Sequence, residues 1–159
     1  MAGPLSGYRI LEMATNISGP MGTMLLADQG ADVIKLETVS GDQGRVAGHN
    51  RTGVESMASF YLNTNRNKRS VVLDLKSPTG LAAAQKIASQ CDVIVQNFRP
   101  GVADRIGVGY DAIKALRPDI IYVSIDGLGG EGVDAKRRVY DIVIQGMAGY
   151  AAVQSPRGS

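Results

Sequence analysis

The apolar run Val93-Ile94-Val95 stops at Gln96-Asn97-Phe98-Arg99-Pro100-Gly101, and short buried-looking runs of the same kind recur along the chain. Tyr8 to Met13, Asp32 to Glu37, Val71 to Leu75, Asp92 to Val95 and Ile120 to Ile125 each read as a strand. Continuous apolar runs of this length suit a parallel sheet covered on both faces, because neither side of such a strand meets water. Helical patterns separate the strands. The order βαβ…βαβαβα therefore predicts an α/β fold with a doubly wound parallel sheet.

The helix signals agree with that order. Pro20 suits the first turn of a helix reaching about Gln29, and Gly30 is placed to close it. Ser77 and Pro78 read as N-cap and first residue of a helix whose apolar face is Leu81, Ala84, Ile87 and Ala88. Pro100-Gly101 turns into a short helix containing Val102 and Arg105, and Tyr110 to Leu116 forms another, stopped by Pro118. A last helix starts near Asp141. Between Thr38 and Lys68 the periodicity lapses, and Asn63, Asn65 and Asn67 predict ordered turns there. Residues 1–153 are read as one domain, and the turn-forming tail 154–159 as the start of a further segment.

Composition narrows the function. A chain of 159 residues with 44% hydrophobic and 20% charged residues is that of a globular domain, not a disordered one. Seventeen basic against fifteen acidic residues leave +2, too little to imply a nucleic acid or membrane partner. The run Lys136-Arg137-Arg138 is a local anion candidate or a solvated basic turn. Cys91 and His49 are each alone, so a disulfide framework and a metal site of these residues are not expected. No secretory signal or membrane-length apolar run is visible, and a cytoplasmic protein is the expectation.

Open α/β sheets bind ligands beyond the carboxyl ends of their strands. Asn97, Phe98 and Arg99 stand at such an end, where an amide, an aromatic face and a guanidinium suit a planar base joined to phosphates. An ordinary strand-to-helix turn is the alternative for this segment. Thr15 to Pro20, Asp74-Leu75-Lys76 and Ser124 to Asp126 are the companion loops. Gly127-Leu128-Gly129-Gly130-Glu131-Gly132 matches GxGxxG literally, but it follows the fifth strand and no helix pattern opens at its last glycine. It reads as a glycine loop rather than a dinucleotide fingerprint, with an NAD-binding Rossmann domain as the reading it would otherwise support.

Several blocks occur in an order that resembles the amino-terminal part of class III CoA transferases, the family of formyl-CoA transferase, carnitine CoA-transferase and α-methylacyl-CoA racemase. They are Gly3 to Gly7, Leu26-Ala27-Asp28-Gln29-Gly30-Ala31-Asp32-Val33-Ile34-Lys35, Asn67-Lys68-Arg69-Ser70, Asp74-Leu75-Lys76, Asn97 to Val102, Arg105-Ile106-Gly107, and Tyr140 to Gln145. The resemblance covers nearly the whole chain.

It implies a Rossmann-like first domain of an interlocked two-domain fold, with coenzyme A or acyl-CoA as substrate, no metal, and a carboxylic acid as acceptor. It places Asn97, Phe98, Arg99, Arg105, Leu75, Lys76 and Arg138 in contact with CoA, and Asn16 and Tyr140 near the substrate. The family's nucleophile is an aspartate, expected beyond Ser159, so no catalytic residue is assigned in this chain; Asp141 is read as structural. The resemblance further implies an interlocked homodimer. Where many members carry an arginine after strand two, Thr38 and Val39 stand here, so nucleotide contact at this place is expected either to be weaker or to be supplied by Arg45. In the racemase branch a histidine precedes the motif aspartate; Tyr140 takes that place, and an ordinary phenol is a poor base at neutral pH. Transferase is therefore favoured over racemase, with a non-catalytic CoA-binding module as a further alternative.

Overall fold

The computed structural model describes residues 3–50, 53–135 and 137–154. Five parallel strands, β1 (Arg9–Met13), β2 (Asp32–Glu37), β3 (Lys68–Val72), β4 (Val93–Gln96) and β5 (Ile121–Ser124), lie in the order β3-β2-β1-β4-β5. The doubly wound α/β class is thus observed. The order reverses between β1 and β4, which makes their shared carboxyl edge the topological switch point.

The helices in this first unit are α1 (Ser18–Asp28), α2 (Ser59–Asn65), α3 (Pro78–Ala88), α4 (Val102–Ile106) and α5 (Tyr110–Leu116). α3 begins as its sequence requires: the Ser77 hydroxyl accepts the Gly80 amide at 3.0 Å, and Pro78 loses nothing at the first helical position. Strand alternation separates two cores. Leu11, Met13, Leu36 and Ile94 share one with Ala84 and Ala88 of α3 and Ile113 of α5, whereas Ile10, Val33 and Val95 share the other with Ala27 of α1.

Two expectations are corrected. Residues 59–65 form a helix, not turns, because Tyr61 supplies a buried anchor that outweighs the weak helix preference of the asparagines. β3 begins and ends three residues before the predicted Val71 to Leu75 run. Its register sets Lys68 beside Val33 and Val72 beside Glu37, so polar Lys68 and Ser70 take ladder positions, while Leu73 and Leu75 pack beyond the strand.

The chain divides into two compact units, Met1–Ile125 and Asp126–Ser159. The second contains α6 (Asp141–Met147) and α7 (Tyr150–Gln154), the latter not anticipated from the sequence. In this unit Asp141 heads α6 and its carboxylate accepts from the Gln145 amide, in keeping with a structural role. Residues 155–159 of the tail and Lys136 of the basic run lie outside the described residues. No helix among the described residues is long and apolar enough to cross a membrane.

Candidate functional site at the carboxyl edge of the sheet

Residues Met13 and Gln96 are partners in the β1–β4 ladder, so the loops that leave them are neighbours. Asn97 joins these loops. Its carboxamide oxygen accepts the Thr15 amide at 3.0 Å and its nitrogen donates to the Thr15 carbonyl at 2.8 Å. Gln96 organises the other side, accepting the Phe98 amide at 2.6 Å and donating to the Ser124 hydroxyl of β5 at 2.8 Å. Phe98 is half-buried and packs on the α3-side core, while Arg99 is exposed. Gly101 then adopts φ 77°, a left-handed conformation suited to glycine, and starts α4.

Of the expected ligand residues of the first unit, Asn97 is tied to the loop after β1, and Phe98 packs on the core that buries Leu75. Leu75 and Ala103 of α4 are buried in the same core that Phe98 packs against, which draws the loops after β3 and β4 and the start of α4 together. Arg105 and Lys76 are exposed. Leu75 is only 7% exposed, so its side chain anchors the loop more than it faces a ligand. Asn16 is half-buried, with φ 65°. Arg138 and Tyr140, both exposed, belong to the second unit. Gly127 to Gly132 opens no helix; the next described one is α6, as expected for a glycine loop rather than a dinucleotide fingerprint.

Beneath the edge, on the α1 side of the sheet, lies a layer of buried charge that sequence reasoning missed. Lys35 Nζ donates to Glu12 Oε1 at 2.7 Å and to the Ala14 carbonyl at 2.9 Å, and lies 2.9 Å from Asp42 Oδ2. Lys68 Nζ reaches Glu12 Oε2 at 2.6 Å, the Pro20 carbonyl at 2.8 Å and Asn65 Oδ1 at 2.9 Å. Two lysines thus face two carboxylates, and burial of Lys68 lowers its pKa despite the attraction of Glu12. The signal was present in Glu12, Lys35 and Glu37, which interrupt strands expected to be buried on both faces.

Arg45 also has a different place from the one expected. Its guanidinium holds Glu37 through bonds of 2.8 and 2.6 Å and lies 4.0 Å from the centre of the Tyr61 ring. It is committed to the protein rather than offered to a nucleotide. Burial alone would raise the Glu37 pKa, but Arg45, the Asp42 amide and Ser70 together bring it down to about 2. Cys91 is fully buried with its thiol pushed up to about 11 by desolvation, so it is no ready nucleophile. Among the described residues no group of three or more His, Cys, Asp or Glu is placed to hold a metal. A groove of about 410 Å³ lined by Arg9, Ile34, Arg69 and Lys86 is formed by other residues than those of the switch point.

Fold and site together define an open parallel α/β domain whose strand-end loops are tied at the switch point. The chain belongs to CoA-transferase family III, whose model matches residues 5–159. It is 39% identical over 155 residues to succinate–glutarate CoA-transferase of Agrobacterium fabrum, covering 94% of this chain and 39% of that protein. It is 40% identical over 154 residues to human succinyl-CoA:glutarate CoA-transferase, covering 96% and 35%. The crystal structure of a CAIB/BAIF family protein from Brucella suis superposes with a TM-score of 0.88 at 38% identity, covering 94% of this chain and 40% of that one. The chain therefore spans less than half the length of these relatives.

Proposed function

We propose that the protein represented by this chain transfers CoA between carboxylic acids, and that this segment cradles the CoA. The observation that carries the reading is that Asn97, next to Phe98 and Arg99 in sequence, binds the loop after β1 at the switch point of a family III chain. Arg99 and Arg105 are exposed cations suited to phosphates, Phe98 offers an aromatic edge to adenine or the pantetheine arm, and Lys76 and Leu75 border the same end. Asn16 is proposed to face the acyl end, and Arg138 and Tyr140, which belong to the second unit, are proposed as phosphate and substrate contacts on the family resemblance alone.

The chemistry assigned to the whole protein is covalent. A carboxylate beyond Ser159, expected to be an aspartate, attacks the thioester carbonyl; the C–S bond breaks and CoA thiolate leaves a mixed anhydride. The thiolate then attacks the aspartyl carbonyl, releasing the first acid and leaving an enzyme thioester. The acceptor carboxylate attacks that thioester, expelling the thiolate again, which finally takes the acyl group from the new anhydride and restores the aspartate. Each step has a lower barrier than direct exchange. Tyr140 in place of a histidine favours this transfer over α-proton abstraction.

A homodimer, with the remainder of the chain covering this part, accords with the exposure of Ile142 and Val153 at 78% and 84%. The reading is tested by calorimetric titration of CoA into the full-length protein and by following label from a free dicarboxylic acid into acyl-CoA. Absence of both binding and exchange across short dicarboxylic acids and oxalate would overturn it.

A further inference from the structure

Three consecutive residues after β1 have their backbone held by side chains rather than by a strand ladder. Lys35 donates to the Ala14 carbonyl at 2.9 Å, Asn97 takes both polar groups of Thr15, and Asp42 Oδ1 accepts the Asn16 amide at 3.0 Å. Asn16 sits at φ 65°, a left-handed conformation that a non-glycine residue keeps only when its surroundings impose it. Asp42 is itself immobilised. Its Oδ1 also takes the Gly44 amide at 2.8 Å, its own amide donates to Glu37 Oε1 at 2.9 Å, and its Oδ2 is paired with Lys35. The Asp42 and Lys35 side chains are 0% and 1% exposed, so neither can reach a ligand.

We propose that Asp42, backed by Lys35, is a positioning residue: it fixes the loop 14–16 in the conformation that receives the carrier, without touching it. The proposal rests on the CoA reading above. Asn97 ties this loop to Phe98 and Arg99, so a shift at Asn16 passes directly to the neighbouring contacts. A preformed loop removes the ordering cost that a mobile one would exact on binding. Asp42 and Lys35 act before the ligand arrives.

The test uses the full-length protein with CoA as the probe, and peptide-resolved amide exchange of the ligand-free form. Asp42→Ala removes the acceptor, Asp42→Asn keeps an oxygen for the Asn16 amide, and Asn16→Pro removes the N–H and forbids φ 65° while leaving the buried charges intact. Asp42→Ala is expected to speed exchange over residues 14–16 by about tenfold and to weaken CoA binding by about tenfold, the weight of one such hydrogen bond. Asp42→Asn keeps the acceptor for Asn16 but sets its amide nitrogen against the Lys35 ammonium, so it recovers both only in part. Asn16→Pro weakens CoA similarly, and wild-type affinity in that variant overturns the proposal even where Asp42→Ala fails to fold. Unchanged exchange over 14–16 in a folded Asp42→Ala protein also overturns it. A wild-type protein that binds no CoA instead removes the ligand reading, which keeps the two failures distinguishable.

Discussion

The carboxamide of Asn97 closes on Thr15 from both sides, accepting its amide at 3.0 Å and donating to its carbonyl at 2.8 Å across 82 residues of sequence. One side chain thereby replaces the ladder that would have continued beyond Met13 and Gln96. The loops after β1 and β4 become a single unit at the point where a doubly wound sheet takes its ligand.

Asn97→Leu removes both bonds at a partly exposed position where water can replace them. Stability should fall by about 1–2 kcal/mol, measured by urea unfolding of the full-length protein, with a disproportionate loss of CoA affinity in titration. Parallel small losses in both would reduce Asn97 to a turn residue.

Arg99 is exposed at the tip of the same loop. Arg99→Ala should leave the unfolding midpoint within about 0.5 kcal/mol of wild type while weakening CoA by a factor of about ten, as for loss of a charged phosphate contact. Identical binding heats in the two proteins would remove Arg99 from the site.

The buried charges respond differently. Lys35→Met removes the cation that Glu12 and Asp42 share, while Lys68 stays on Glu12, and breaking a buried pair typically costs about 3–5 kcal/mol. Urea unfolding checks this, and a loss below about 1 kcal/mol would show that the layer behaves like surface ion pairs.

Glu37 gives a pH signature. Its pKa in the folded protein lies near 2, below the ordinary 4.5, so its ionised form stabilises the fold. That contribution is complete above pH 4.5 and disappears as pH falls toward 2. Glu37→Gln should lower stability at neutral pH and flatten the decline across this window; a stability profile parallel to wild type would contradict the assignment.

Gly19 marks a close approach. A Cβ there would collide with the side chain of Ala14, where α1 crosses the end of β1. Gly19→Ala should destabilise by about 1–3 kcal/mol and disturb the loop 14–16, visible as faster amide exchange in that segment.

How legible these features were follows from the range of the forces involved. Apolar runs, Ser77-Pro78 and the prolines are local signals, so the alternation of strands and helices and the class of sheet could be read directly, and ordered motifs pointed to the family. Near residues 59–72 the helix escaped and the strand was placed three residues late because tertiary contacts overrode local preference: Tyr61 is buried against Glu37 and Arg45, and β3 takes its register from β2. Strand-end placement already made Asn97, Phe98 and Arg99 candidates for one ligand. Only the folded sheet decided that Asn97 grips Thr15, that Arg45 turns inward to Glu37, and that Lys35 and Asp42 hold the first loop from below. Those pairings join residues distant in sequence, and a lone charge in a strand does not name its partner until the β3-β2-β1-β4-β5 order brings that partner within reach.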